Sequence, residues 1–512
     1  MNKVAKATVA LMIATIVAKV LGFGRELVLA SSYGTSMYSD AYLTAMNIPI
    51  VIFASIGAAL GTTFIPMYCD INNSLGEEEA LKFTNNMFNL VATICLLLAI
   101  MGFIFAKPLV KVFAFGFKAE TFEIAVNFTK ILIVGIVFTG LSFIMTAYLQ
   151  VKNNFIIPGI VSVPKNIIII LSILLSITYG PYIMIWGTVV GMATEFIFQI
   201  PFAIKEGYKY NLYVNIKDEY IKKAAWLIIP VIIGVGVNQV NAMIDRTLAS
   251  TLVEGSISSL NYANKLNGFV MGLFITSIST VIYPILSNLS LDKNRGEFTN
   301  SVVQGINTVV LLVTPISIGA MVLATPIVRL LFQRGEFDER ATNMTAIALI
   351  MYSIGMIAFG LREVLGKVFY SLHDTKTPMI NGVMTMVINI VFNLILIKYL
   401  KHAGLALGTS LSSILGIIFL FKSLNKKIGY FGQDKILKII FKSIIAAIIM
   451  GFSTYLTYKI SNDIVKNEVI TLIVSIIVGA LTYGISALVL KIEEVNIIIN
   501  ILKNKKNKEY KI

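Results

Sequence analysis

"KVLGFGRELV", Lys19 to Val28, lies inside an apolar run from about residue 7 to residue 31 and sets Lys19, Arg25 and Glu26 around Gly22 and Gly24. A run of that length predicts a helix able to cross a hydrocarbon core of about 30 Å. A charge at the bilayer centre costs roughly 2.5–3.5 kcal/mol even on the lenient insertion scale, so these three side chains are expected to face a wet cavity or a partner. Lys19 and Glu26 are two turns apart and share one face, and the glycines allow a bend or a close approach.

The rest of the chain repeats the pattern. Its 512 residues are 57% hydrophobic and 13% charged, with mean hydropathy +0.83, far below the roughly 25% charged usage of soluble domains. The expected fold class is an all-α polytopic membrane protein. The first run is longer than a signal-peptide core and carries charges, so it reads as a spanning helix. Cys69 and Cys95 are too few for a disulfide framework. The net charge of +15 is spread over short loops rather than gathered on one face, which argues against a nucleic-acid partner.

Fourteen spans are predicted, near 7–31, 38–67, 84–106, 123–150, 155–178, 181–204, 222–251, 258–288, 300–324, 338–372, 376–398, 402–424, 436–458 and 467–490. With an even number both termini share a side, and the Lys-rich loops 205–223 and 422–438 and the Lys-rich tail fall there too. The positive-inside rule makes that side cytoplasmic. Lys107, Lys111, Lys118, Arg329, Arg334 and Arg340 are the exceptions, outside.

An internal repeat emerges at a shift of 219 to 221 residues. "LASSYG" (29–34) returns as "LASTLVEG" (248–255), Gly140-Leu141 and Pro158 as Gly360-Leu361 and Pro378, and Gly187-Thr188 as Gly408-Thr409. Six helices per copy imply two lobes related by a pseudo-twofold axis along the membrane normal. The expected division is an N-terminal six-helix lobe at 1–210, a C-terminal one at 211–428, an extra lipid-facing helix pair at 429–492 and a basic cytoplasmic tail at 493–512.

The mid-span charges are Lys19, Arg25, Glu26, Lys165, Glu195, Asp245, Arg246, Lys265, Arg362, Glu363 and Lys367, seven basic and four acidic. The excess suits an anionic cargo in a central cavity. Structural pairing is the rival reading, although neighbours such as Arg25 and Glu26 do not face each other on a helix and should need partners elsewhere. A second set joins Asp245, Thr409 and the asparagines of "VINIVFNLI" (387–395), where Asn389 and Asn393 project from one face. These hard oxygens, with a backbone carbonyl, suit Na⁺; spacing alone favours interhelical hydrogen bonding. Gly57/Gly61, Gly187/Gly191 and Gly404/Gly408 read as helix-packing faces. No nucleophile elbow, P-loop or zinc motif is present, so the chain is not expected to be an enzyme.

Three stretches carry a resemblance: "KVLGFGRELVLASSYGTSMYSDAYLTAMNIP" (19–49), "LASTLVEGSISSLNYANKL" (248–266) and "LFQRGEFDERATNMTAIALIMYSIGMIAFGLREVLGKVFYSLHDTKTP" (331–378). They are similar to the MurJ (MviN) family of lipid II flippases in the multidrug/oligosaccharidyl-lipid/polysaccharide exporter superfamily. The resemblance implies fourteen helices, a terminal pair forming an apolar groove, and residence in the bacterial plasma (inner) membrane. It implies cavity residues that engage the diphosphate of undecaprenyl-linked lipid II, here Lys19, Arg25, Glu26, Lys265, Lys367 and Arg362, with membrane lipids as the other partners and a monomer as the working unit. It also implies a sodium design at Asp245, Asn389, Asn393, Leu405 and Thr409, with Na⁺ as candidate coupling ion and no other cofactor. The chain departs from the family where "NIPIVIFASIGAALG" (47–61) has no basic residue, which leaves another undecaprenyl-linked glycan as an alternative cargo. A cation-drug antiporter of the same superfamily is a further alternative, which the basic excess disfavours.

Overall fold

Long apolar runs in a medium without water must satisfy their backbone groups internally, and helices do so within one segment. The computed structural model describes residues 3–291, 295–492 and 494, and no strand occurs among them. In chain order the helices are α1 (Lys3–Tyr33), α2 (Met37–Leu75), α3 (Glu77–Ile104), α4 (Ala106–Phe113), α5 (Ala119–Leu132), α6 (Gly135–Val151), α7 (Ile156–Ile160), α8 (Ser162–Tyr179), α9 (Tyr182–Ile197), α10 (Ile200–Lys205), α11 (Glu219–Ala249), α12 (Ser256–Val270), a π-helical turn (Met271–Ile275), α13 (Thr276–Leu291), α14 (Arg295–Val322), α15 (Ala324–Phe332), α16 (Glu339–Ser371), α17 (Lys376–Ile428), α18 (Gln433–Val465) and α19 (Glu468–Val489). Helix α17 is two helices joined at Lys401, whose φ of 52° breaks the run. The basic tail lies outside the described residues, Glu494 excepted.

The protein is an all-α polytopic membrane protein. Nine helices among the described residues are long and apolar enough to cross a bilayer, and a tenth span arises if α5 and α6, bent by 41°, count as one. Lys107, Lys111 and Arg329, which weaken the charge bias of the loops, lie on the short helices α4 and α15. Each of these buries one apolar edge, Ala106, Val110 and Phe113 in α4 and Ala324, Val328 and Phe332 in α15.

The repeat is written in the backbone. Residues with positive φ recur in both halves at shifts of 220 to 222: Gly34 with Gly255, Asn153 with His373, Gly180 with Lys401, and Gly207 with Gly429. Side-chain locks recur with changed chemistry. Asn154 donates to Glu206 at 3.2 Å, while its counterpart Asp374 accepts from Lys427 at 2.6 Å.

Two compact units emerge, 1–258 with 334–338, and 259–333 with 339–512. The repeat boundary expected near 210 and this packing boundary differ by one helix, because α11 packs along α2. The 334–338 loop joins the first unit through the Glu336 N–H, which donates to the Ser31 carbonyl at 2.9 Å. Gly34 (φ 55°) and Gly335 (φ 58°) are required there, since a Cβ on either would collide with the other segment's backbone. The core of the first unit includes Phe64, Tyr68, Phe83 and Tyr148; that of the second includes Val309, Leu361, Val364 and Phe369. In the second unit α14, α18 and α19 line an open-mouthed apolar cavity of about 410 Å³ that includes Leu312, Pro315, Ile316, Met450, Ile476 and Tyr483 in its wall.

Candidate functional site

In the first unit, α1 carries Arg25 and Glu26 into a polar cluster with α8 and α9. Arg25 Nη2 lies 2.7 Å from Glu26 Oε1, and Nη1 donates to Asn166 Oδ1 at 3.3 Å. The expectation that adjacent residues on α1 would need separate partners is overturned here. Their Cβ atoms diverge, but the long guanidinium folds back onto the carboxylate of Glu26, which is only 3% exposed. One residue along α8, Lys165 Nζ lies 2.8 Å from Glu195 Oε2 on α9. Four of the eleven mid-span charges are thus gathered as two ion pairs with no net charge. Lys19, two turns below Glu26, is exposed.

The second unit holds the other candidates. Lys265 is exposed on α12, just before the π-turn. Lys367 Nζ stands 5.7 Å from the Tyr283 ring centroid and 3.7 Å from Glu363, one turn away. The Arg362 guanidinium closes on α17 at Gly382, where a Cβ would come within 3.3 Å of Nη2.

The sodium candidates divide between the units. On α17, Asn393 Nδ2 donates to Asn389 Oδ1 at 3.1 Å, Asn389 Nδ2 to Thr409 Oγ1 at 3.3 Å, and Thr409 Oγ1 to the Leu405 carbonyl at 3.0 Å. Four predicted residues are thus brought into one seam of amide, hydroxyl and carbonyl oxygens, and Gly408 keeps it tight, since a Cβ there would strike Asn393 Oδ1. Asp245 lies on α11 in the first unit. Its neighbour Arg246 donates to the Leu43 carbonyl at 2.7 Å.

Sequence reasoning passed over Asp40. Only 3% exposed, it accepts the Gly255 N–H through Oδ2 and the Ser258 N–H through Oδ1, each at 2.8 Å. In return Glu254 Oε1 accepts the Met37 N–H that opens α2, at 2.7 Å. The signal was present: Ser36 and Ser39 form a capping box, and an acid in a first turn next to a second helix start is suited to orphan N–H groups.

A family model described as "Lipid II flippase MurJ" matches residues 29–475. The chain is 31% identical over 432 residues to the probable lipid II flippase MurJ of Vibrio cholerae, covering 80% of this chain and 81% of that one. A solved structure of the lipid II flippase MurJ in an inward closed conformation aligns with TM-score 0.81 at 29% identity, covering 94% of this chain and 99% of the other. An inward-facing multidrug resistance MATE transporter of the MOP superfamily aligns with TM-score 0.67 at 14% identity, over 82% of this chain and 99% of that one, and shares the fold. The chain belongs to the MurJ family of lipid II flippases, membrane transporters and not enzymes.

Proposed function

We propose that this protein carries lipid II, the undecaprenyl-diphosphate-linked precursor of peptidoglycan, from the inner to the outer leaflet of a bacterial plasma membrane by alternating access, and so supports cell-wall growth and cell shape. The observation that carries the reading is the family match, which runs from the end of α1 into α19. Lys19, Arg25 and Lys265, with Lys367 and Arg362, supply the cations for the diphosphate. Because Arg25 is held by Glu26 and Asn166, cargo must exchange with an internal carboxylate. That exchange gives a weak, reversible grip, as a carrier needs. The polyprenyl tail stays in lipid along α18 and α19, beside the apolar cavity that they form with α14.

Export of an anion from an inside-negative cell gains about 2.3 kcal/mol per charge per 100 mV, so the membrane potential drives the loaded step. The α17 oxygens of Asn389, Asn393, Leu405 and Thr409 fit a hard cation, and inward Na⁺ binding there would reset the empty carrier by differential affinity. The charge bias of the loops puts both termini in the cytoplasm, and the carrier works as a monomer.

A second reading rests on residues 47–61 of α2, which lack any basic side chain: the cargo is a different undecaprenyl-linked glycan with the same diphosphate. Complementation of a conditional lipid II flippase mutant separates the two. Restored growth and surface lipid II support the first reading; failure with normal expression and insertion supports the second.

A further inference from the structure

The Lys165–Glu195 pair lines a half-open cavity of about 390 Å³ in the first unit, bordered by α2, α6, α7, α8 and α9. Its walls are apolar, from Ile50, Phe53, Ile136, Phe143 and Met192, and the two charges stand at its lining with the hydroxyls of Thr139, Ser142 and Thr146. Most of the helices around it are interrupted: α5 and α6 part at Ile133 and Val134, α7 and α8 at Val161, and α9 and α10 at Phe198 and Gln199, while the unbroken α2 carries Pro49. The repeat partner of the bent α5–α6 pair, α16, runs unbroken. Interrupted helices at membrane depth persist where they line a cavity, and in transporters they mark binding sites. Lys165 lies nine residues after the start of α7 at Ile156 and Glu195 ten before the end of α10 at Lys205, about 15 Å along each interrupted run by helical rise.

A ligand with one charge would take one member of the pair and strand the other in an apolar wall, a heavy penalty. A ligand with an ammonium and an anionic oxygen side by side exchanges one internal ion pair for two external ones and strands nothing. Among the described residues, Lys165 Nζ has Glu195 Oε2 as its hydrogen-bond partner. On the Glu195 side Gln199 Nε2 donates to the Glu195 backbone carbonyl at 3.0 Å and to Ser142 Oγ at 2.7 Å, while Thr146 donates to Gln199 Oε1 at 2.9 Å. This network fixes the backbone and leaves the carboxylate for a cation. The geometry points to a binding site for a small zwitterion, an amino-acid or short-peptide group or an ethanolamine phosphate headgroup, with Lys165 taking the anionic oxygen, Glu195 the ammonium, and the apolar walls an alkyl portion.

The test uses the full chain in phosphatidylcholine nanodiscs, titrated calorimetrically with alanyl-alanine and with glycerophosphoethanolamine. At least one should bind saturably, and whichever binds more tightly identifies the peptide or the headgroup source. For a peptide source, N-acetyl-alanyl-alanine and alanyl-alanine amide, each with one charge, should bind at least tenfold more weakly; for a headgroup source, glycerol phosphate and ethanolamine should. The double variant Lys165→Met/Glu195→Gln, which removes both charges and strands neither, should abolish binding, and the exchange Lys165→Glu/Glu195→Lys should keep it. Absence of saturable binding by both probes overturns the proposal. So does equal binding of the singly charged analogues, a comparison made on the unaltered protein and independent of any variant's folding.

Discussion

Asp40 receives two backbone N–H groups, from Gly255 and Ser258, at 2.8 Å each. A buried carboxylate so placed caps the start of α12 with charge-assisted bonds worth roughly 1.5–3 kcal/mol apiece. Asp40→Ala leaves both donors orphaned and should cost on the order of 3 kcal/mol; Asp40→Asn, which keeps one acceptor, should cost less. Thermal unfolding in detergent should rank wild type above the Asn variant and that above the Ala variant. Equal midpoints would remove the cap from the account.

A ladder of asparagines on α3 straps down the segment that leads into α11. Asn85 Oδ1 accepts the Asn211 N–H at 3.2 Å and Asn86 Oδ1 the Asn215 N–H at 2.8 Å, while Asn89 Nδ2 donates to the carbonyls of Asn211 and Tyr213 at 3.1 Å. Loss of one such bond, about 1 kcal/mol, should speed local exchange about fivefold. Hydrogen exchange of the 208–215 amides in Asn85→Ala and Asn86→Ala checks this, and unchanged protection contradicts it.

Acid should loosen the loop before α17. Burial pushes the Asp374 carboxyl up, but the Lys427 ammonium at 2.6 Å and the Thr377 N–H and hydroxyl outweigh it and hold it down to about 2. A depressed carboxyl stabilises the fold above its ordinary value of 3.8 and loses that contribution as pH falls toward 2. Lys427 is 37% exposed, so the lock is worth under about 1 kcal/mol. The stability gap between wild type and Asp374→Asn should be present at pH 6 and close as pH drops through this window. A gap that does not depend on pH would contradict the lock.

Lys401 occupies the repeat position of Gly180 at φ 52°, ψ −130°, where side chains other than glycine are strained by about 1–3 kcal/mol. Lys401→Gly should therefore stabilise by about 1 kcal/mol after the entropic cost of glycine, and Gly180→Lys should destabilise. Paired melting curves of the two variants decide it.

Much of the fold was legible because lipid imposes it: an apolar run about 20 residues long has few alternatives to a helix, and each of the fourteen expected runs is helical among the described residues. The repeat showed in Gly34 and Gly255, where backbone geometry restricts residue choice. The site was less legible. Arg25 reaches its own neighbour because of side-chain length, which helical periodicity does not encode, and its other partner, Asn166, is 141 residues away. The basic residues at 107, 111 and 329 that go against the charge bias belong to helices too short to read as spans. The break between α7 and α8 at Val161 lies three residues past Pro158, whose repeat counterpart is Pro378.

Translocation itself is the most direct measurement. The purified chain in liposomes loaded with fluorescent lipid II, with an inside-negative potential imposed, should deliver the lipid to the outer leaflet at a rate that falls at least tenfold in Lys265→Ala and in Lys19→Ala. Lipid II that stays in the inner leaflet with correctly inserted protein, or transport indifferent to both lysines, would contradict the account.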